Sequence, residues 1–325
     1  MEKGIYVKDI VNNQEVNGYF LVVRKSVSFS KNNARYISVT LRDSSGTVEG
    51  RIWDRVDELE ARFEKDDLVF LHSRATIYQE KLQLTITDIK KVQENITIED
   101  MKAFFPETEK GIDTMKEEYK QIVSGIKNPY LRSLFAEIEK RSDVVRRFFF
   151  YPASLNVHHV SIGGLLEHSV TMAKMGKEVV NIIGGNMDIV LTGCLIHDIG
   201  KIEEIEVRGG FRYSDRGRLL GHIALGIDIV KGVVSQIPNF PDTLYNALLH
   251  IIISHHGLEE WGSPKKPMFI EALIVHYLDN LDAKVMGVKE YMRERMADER
   301  WTEYHRVYES RFYNISDRDS YEGER

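Results

Sequence analysis

The chain is poor in several features that identify common classes of protein. It has one cysteine, Cys194, among 325 residues, which excludes an intramolecular disulfide and a cysteine-based zinc site. No apolar run approaches the roughly 20 residues that span a bilayer, and the first residues have no signal-peptide character. We therefore expect a cytoplasmic protein in a reducing compartment, with no membrane partner.

The remaining composition is that of an ordinary globular protein, with 42% hydrophobic and 29% charged residues. The length favours two domains or one large domain. A net charge of −6 argues against a protein that coats nucleic acid permanently, although it is compatible with a local basic groove.

Histidine is scarce in the first part of the chain and concentrated in the second. Ten of the eleven histidines lie between His158 and His305, and His72 alone precedes them. This asymmetry indicates two regions with different chemistry.

The first region has the alternating pattern of β-strands. Period-two alternation predicts strands over residues 17–29, 35–43, 47–54, 68–79 and 81–92, with a short helix over 55–67. Three strands, a helix and two strands are the order of an OB-fold, a Greek-key barrel that binds oligonucleotides. We therefore predict an OB-fold nucleic-acid-binding domain over residues 1–95.

Basic residues cluster in the first hairpin of this predicted barrel. Residues 24–42 include five basic side chains and no acidic one. Aromatic side chains nearby could stack on bases, each contributing about 1–3 kcal/mol. The alternative is that the aromatics belong to the barrel core and the basic run is a solvated loop. The predicted contacts to nucleic acid in this region are Arg24, Lys25, Lys31, Arg35, Tyr36 and Trp53.

Helical periodicity follows a connecting segment. Pro106 and Gly111 bracket charged residues in a pattern typical of a hinge, and helix signals begin at Ile112. We predict a helical connector over 96–145, an all-helical domain over 146–314 and a polar tail over 315–325. The predicted fold class is multidomain, a β-barrel followed by an all-α domain.

Five polar clusters interrupt the apolar helices of the second region. Each lies at a helix start, a helix end or an inward helix face. The clusters are GGLLEHS (163–169), CLIHDIGK (194–201), GHIALG (221–226), ISHHGLEEWG (253–262) and VHYLDNLDAK (275–284).

Two of these clusters contain adjacent polar residues just before a glycine. Neighbours on a regular helix point about 100° apart, but at a helix end followed by glycine the chain turns away and both can face one point. His197 and Asp198 have this arrangement, as do His255 and His256. The sequence therefore predicts a site that is built from helix ends.

The residue types in these clusters favour a metal site. Imidazoles with carboxylates and no thiolate suit Mn, Fe, Ni, Co or Zn, whereas Mg would take more oxygen. The set exceeds the three or four protein ligands of one catalytic ion, so we predict two ions that share Asp198, an arrangement suited to in-line displacement at phosphorus. A single histidine on an apolar helix is usually a hydrogen-bonded core residue, but five ordered clusters argue against that alternative. The predicted ligands are His168, His197, Asp198, His222, His255, His256 and Asp279.

Three further polar residues lie close to these ligands in the sequence. Lys201 is predicted to contact a phosphate oxygen, with an ion pair to Glu203 or Glu204 as the alternative. We expect Asp282 and His276 to be structural neighbours of Asp279 rather than ligands.

The order His, His-Asp, His, His, Asp resembles that of the HD superfamily of metal-dependent phosphohydrolases. An OB-fold followed by GGLLEHS and LIHDIGK is similar, over nearly the whole chain, to the YhaM family of bacterial 3′→5′ exoribonucleases. The lead-in HHVSIGGLLEHS (158–169) strengthens this likeness. It places His159 either near the substrate or as a structural cap.

The resemblance implies cleavage of single-stranded RNA, and often of single-stranded DNA, from the 3′ end. The products would be nucleoside 5′-monophosphates, and the cofactor a divalent ion such as Mn²⁺, with Fe²⁺, Co²⁺, Ni²⁺, Zn²⁺ and Mg²⁺ as alternatives. We expect two ions to assist attack by water, with Asp198 and Lys201 as catalytic residues. A homo-oligomer is an open alternative to a monomer.

Two other functions are compatible with the sequence. One is a phosphohydrolase of a small nucleotide, whose OB-fold serves assembly or regulation. The other is a nucleic-acid-binding regulator whose helical pocket senses a nucleotide without hydrolysing it.

Overall fold

The computed structural model describes residues 2–30, 32–92, 96–108, 110–155, 161–208, 210–295 and 300–315. A five-stranded barrel is followed by a helical domain, which confirms the predicted fold class. Two residues predicted to contact nucleic acid, Lys31 and His159, lie outside the described residues. Among the described helices, none is long and apolar enough to cross a membrane.

The barrel is closed in the order β1-β2-β3-β5-β4, with β3 and β5 parallel and the other pairs antiparallel. Its elements are β1 (Glu15–Phe29), β2 (Arg35–Asp43), β3 (Gly46–Ile52), α1 (Val56–Glu60), β4 (Leu68–Tyr78) and β5 (Lys81–Lys91). Alternate residues point inward, so that Phe20, Ile37 and Leu71 are fully buried in one core. The alternation in the sequence therefore placed the strands within two residues of their observed ends.

The helix predicted over 55–67 is shorter in the structure and ends at Glu60. The ammonium group of Lys25 donates hydrogen bonds to the carbonyl oxygens of Glu60 and Phe63, each at 2.6 Å. Because these carbonyls have a side-chain donor, the chain can leave the helix and turn back toward β4.

The helical domain contains nine described helices and one small hairpin. The helices are α2 (Ile112–Gly125), α3 (Pro129–Glu139), α4 (Ser142–Phe150), α5 (Gly164–Ile183), α6 (Met187–Ile196), α7 (Lys201–Glu204), α8 (Asp215–Val234), α9 (Asp242–Ser254) and α10 (Ile270–Arg295). The hairpin pairs β6 (Ile205–Val207) with β7 (Phe211–Tyr213). It was not predicted, because strands of three residues are too short to show a period of two.

Residues 96–145, predicted as a connector, pack into the core of the helical domain. Met101 and Phe135 belong to the same buried cluster as Leu165 of α5. Leu21 and Leu68, on the outer surface of the barrel, belong to that cluster as well. The barrel is therefore docked on the helices through apolar side chains.

The small hairpin also contacts the barrel. A Cβ atom on Gly210, just before β7, would lie 2.8 Å from Cδ1 of Leu21 and 3.3 Å from the carbonyl oxygen of Asp66. The hairpin therefore connects the barrel surface with α7, where Lys201 begins the helix.

Candidate metal centre

The side chains predicted as metal ligands come together in one pocket of the helical domain. They are placed by the second turn of α5, the turn between α6 and α7, the middle of α8, the turn after α9 and the middle of α10. In that order the residues are His168; His197 and Asp198; His222; His255 and His256; and Asp279. They form two neighbouring clusters of donor atoms.

The first cluster contains His168, His197 and Asp279. The Nε2 atom of His168 lies 3.2 Å from Nε2 of His197 and 3.2 Å from Oδ1 of Asp279. Asp198 adds its Oδ2 atom, which is 3.4 Å from Nε2 of His197 and 3.8 Å from Nε2 of His168. Metal–ligand bonds of about 2.0–2.2 Å separate neighbouring donors by such distances, so these atoms can surround one ion.

The second cluster contains His222, His255 and His256, whose donor atoms lie within 4.8 Å of one another. The Oδ1 atom of Asp198 is 3.5 Å from Nε2 of His222 and 3.6 Å from Nε2 of His255. The two oxygens of the Asp198 carboxylate therefore face different clusters. Each cluster therefore has one oxygen of Asp198 beside its imidazoles.

Three donor atoms of the second cluster have no other partner. Oδ1 of Asp198, Nε2 of His222 and Nε2 of His255 are buried, and none of them has a hydrogen-bond partner among the described residues. An unsatisfied buried polar atom costs about 1–3 kcal/mol, and a bound cation would satisfy all three. The residues present therefore fit divalent ions, and imidazole with carboxylate suits Mn, Fe, Co, Ni or Zn.

Four of the histidines that direct Nε2 at the site are held in place through Nδ1, the second nitrogen of the ring. The Nδ1 atoms of four histidines contact an oxygen outside the pocket, which orients each ring with its Nε2 directed at the site. The pairs are His168 with Asp282 Oδ2 at 2.6 Å, His197 with the Cys194 carbonyl at 3.0 Å, His222 with Glu204 Oε1 at 3.3 Å, and His255 with the Ile252 carbonyl at 2.8 Å.

Two of these partners are carboxylates that sequence reasoning did not assign. Asp282 was expected only as a neighbour of Asp279, and Glu204 was considered only as a partner of Lys201. Both act through contacts between elements distant in sequence: 114 residues separate His168 from Asp282, and 18 separate His222 from Glu204. No spacing within a helix marks such contacts.

Lys201 forms its ion pair within the pocket. Its ammonium nitrogen lies 2.6 Å from Oδ2 of Asp198, whereas Glu203 pairs with arginines and Glu204 contacts His222. Burial alone would raise the pKa of Asp198, but the charge of Lys201 and then that of His197 hold it well below its usual range. Burial would lower the pKa of Lys201, but Asp198 raises it. The pocket therefore contains an ionised carboxylate beside a permanent cation.

Glycines allow α8 to approach the other ligands. Gly221 has φ 71° and ψ 160°, which breaks α8 in the middle, so His222 begins its second half. A Cβ atom on Gly200 would lie 1.9 Å from the carbonyl oxygen of His222 and 2.5 Å from the nitrogen of Gly226. The turn after Asp198 therefore touches the backbone of α8, which sets His222 beside Asp198.

The predicted nucleic-acid contacts divide into exposed and structural residues. Tyr36 and Trp53 stack with ring centroids 4.7 Å apart at 30°, and Trp53 is 45% exposed. Arg24 is exposed. Arg35 forms ion pairs with acidic residues of α1 while its side chain stays 40% exposed. The prediction for Lys25 is wrong, because its side chain is only 9% exposed and holds the end of α1.

Two family models match the chain. The HD domain model matches residues 165–284, and the OB-fold nucleic acid binding domain model matches residues 21–92. The 3'-5' exoribonuclease YhaM of Bacillus subtilis (strain 168) is 30% identical over 308 residues, which cover 93% of this chain and 95% of that protein. The chain belongs to the YhaM family. The YhaM protein of Geobacillus sp. (strain WCH70) is 29% identical over 322 residues, covering 99% of this chain and 95% of that protein.

These matches to YhaM proteins cover both halves of the chain and confirm the family resemblance. The HD match includes all seven predicted ligands and Asp282. The OB match includes most of β1 and all of β2 to β5.

Proposed function

We propose that this member of the YhaM family is a metal-dependent 3′→5′ exonuclease that hydrolyses single-stranded RNA, and also single-stranded DNA, to nucleoside 5′-monophosphates. The observation that carries this proposal is the position of Asp198, whose two oxygens face two separate clusters of histidines. The RNA substrate and the direction of cleavage are supported by the activity for which the relatives are named.

We propose that the two clusters of donor atoms each bind one divalent ion, and that this ion is Mn²⁺. His168, His197, Asp279 and Oδ2 of Asp198 would hold one, and His222, His255, His256 and Oδ1 of Asp198 the other. When bound, such ions lower the pKa of a water molecule and offset negative charge on the phosphate.

The protein's own residues prepare this chemistry in three ways. The partners of Nδ1 orient the imidazoles before any ion binds, so that less order is lost on binding. Burial of Asp198 and His197 excludes bulk water and strengthens the local electrostatic field. Lys201, whose ammonium nitrogen is 2.6 Å from Oδ2 of Asp198, would neutralise an oxygen of the phosphate that reacts there.

The proposal is tested with a 5′-labelled single-stranded RNA in the presence of Mn²⁺. The unsubstituted protein should shorten the labelled strand stepwise from its 3′ end and release nucleoside 5′-monophosphates. Asp198→Ala should lower the rate by about 10³-fold or more, because both metal clusters lose a ligand. Asp113→Ala, at a 97% exposed side chain on α2, is the matched control.

Retained activity in Asp198→Ala would contradict the mechanism. Faster hydrolysis of mononucleotides or cyclic nucleotides than of the oligomer would favour a small-nucleotide phosphohydrolase. RNA binding with no turnover under Mn²⁺, Fe²⁺, Co²⁺, Ni²⁺, Zn²⁺ or Mg²⁺ would favour a regulator.

A further inference from the structure

An aromatic row crosses the outer surface of the barrel on β1 and β4, whereas Tyr36 lies on β2 and Trp53 directly follows β3. The strand register pairs Tyr19 of β1 with Phe70 of β4, and Phe70 with Lys90 of β5. Their sequence neighbours point into the barrel core, so these three side chains point outward. Together with His72, two residues further along β4, we call them the β4 stripe.

The rings of the β4 stripe are packed edge to face. Tyr19 and Phe70 have centroids 4.9 Å apart at 66°, and Phe70 and His72 have centroids 5.2 Å apart at 80°. The ammonium group of Lys90 lies 5.9 Å from the centroid of Phe70. Tyr19 and Phe70 are half-buried, and Tyr19 also packs against the core shared with the helices, whereas His72 and Lys90 are exposed. Part of the ring surface therefore remains accessible beside a cation.

A cleft of about 740 Å³ opens beside this stripe, between the strands and the end of α1. Its wall includes Tyr19, Phe70 and three basic residues, Arg62, Lys90 and Lys91. Arg62 pairs with Asp88 at 2.8 Å, and Lys91 pairs with Asp67 at 2.5 Å. In the part of the chain that the structure describes, Lys90 has no carboxylate at ion-pair distance, so its positive charge is available to an anion.

The stripe lies beside the contact between the barrel and the helical domain. Leu21 and Leu68 are the next outward residues along β1 and β4, and both belong to the core shared with the helices. Leu21 also touches the hairpin that leads back to α7. A strand bound along the stripe would therefore lie on the side of the barrel that faces the domain with the metal centre.

We propose that the β4 stripe is a second track for single-stranded nucleic acid, in which bases stack on Tyr19 and Phe70 while Lys90 contacts the backbone. Aromatic faces beside a basic groove are the combination that binds single strands without sequence preference. The charge of Lys90, which has no carboxylate partner among the described residues, and the open cleft fit a flexible polyanion better than a second protein surface. This proposal rests on the proposed function, because the ligand is the substrate of that function.

The test is the affinity for a fluorescent 20-nucleotide single-stranded RNA, measured by anisotropy in EDTA, where no hydrolysis occurs. Lys90→Glu should weaken binding about 5- to 10-fold and reduce the salt slope by about one, because a phosphate contact is lost. Phe70→Leu, which keeps an apolar side chain but removes the ring, should weaken binding about 5- to 100-fold. Lys120→Glu, at an exposed lysine of α2, is the control and should bind as the unsubstituted protein does.

The possible outcomes separate this proposal from the proposed function. Unchanged affinity and salt slope in Lys90→Glu would overturn the second track, even if Phe70→Leu failed to fold. Hydrolysis of the same RNA by the unsubstituted protein in Mn²⁺ is measured in parallel. Weakened binding in the variants without such hydrolysis would support the track and contradict the nuclease activity.

Discussion

The Nδ1 atom of His276 lies 2.6 Å from the carbonyl oxygen of His255, and its ring packs against the next turn of the chain. A Cβ atom on Gly257 would lie only 2.2 Å from Cε1 of His276. His276 belongs to α10, three residues before Asp279. This contact therefore fixes the turn that carries His255 and His256 to the helix that carries Asp279.

We predict that His276→Ala weakens binding of the ion that we propose for His222, His255 and His256, without unfolding the protein. Loss of a residue that orients metal ligands typically lowers metal affinity by 10- to 100-fold. Titration calorimetry with Mn²⁺ should then show one ion bound as before and one bound more weakly. His276→Asn, whose amide can donate from the position of Nδ1, should restore part of the affinity. His305→Ala serves as the control, and two unchanged affinities in His276→Ala would contradict the positioning role.

Metal binding should release a proton from His168. Burial alone would lower the pKa of this imidazole, but hydrogen bonds to Asp279 and Asp282 and their charges raise it to about 9. At pH 7.5 the ring carries both protons, and coordination through Nε2 displaces one. Release should therefore decline toward zero as the pH rises through 9.

The proton count can be measured by calorimetry of Mn²⁺ binding in two buffers that differ in ionisation enthalpy. Asp282→Asn removes one of the charges that raise the pKa of His168. Metal binding to this variant should therefore release fewer protons at pH 7.5. The same release by both proteins would show that Asp282 does not control this group.

Gly200→Ala should disrupt the second metal cluster. The new methyl group would meet the backbone of α8 at His222 and Gly226, and backbone cannot rotate away as a side chain can. We expect a loss of about 1–3 kcal/mol in the free energy of unfolding, together with weaker binding of one Mn²⁺ ion. Gly125→Ala is a suitable control, because a Cβ atom there meets nothing within 4 Å. Equal stability and metal binding in both variants would contradict the close approach.

A buried ion pair should stabilise the start of the chain. The ammonium nitrogen of Lys3 lies 3.0 Å from Oδ2 of Asp43 and 3.9 Å from the ring centroid of Phe20. Lys3→Ala leaves the buried carboxylate without its cation, so the free energy of unfolding should fall by about 3 kcal/mol. Urea denaturation measures this change, and Lys8→Ala, at an exposed lysine, should have little effect. Adding Asp43→Asn to Lys3→Ala should cost less than the two single changes combined.

The sequence predicted those features that depend on local pattern. Alternation located the barrel strands, and polar doublets before glycine located the candidate ligands at the ends of α6 and α9. The partners that orient these ligands were missed, since Glu204 and His276 reach them only after the helices pack. Lys25 was misassigned for a related reason: a basic residue in a hairpin looks the same in sequence whether its ammonium group meets solvent or the carbonyl oxygens of a helix end.

The two leucines that join the barrel to the helices have a practical consequence for dissecting this protein. Leu21 and Leu68 are almost completely buried, and cutting the chain after β5 would leave both facing water. Such a fragment would be prone to self-association through that apolar spot. Replacing both leucines with polar residues is therefore needed before the barrel can be studied by itself.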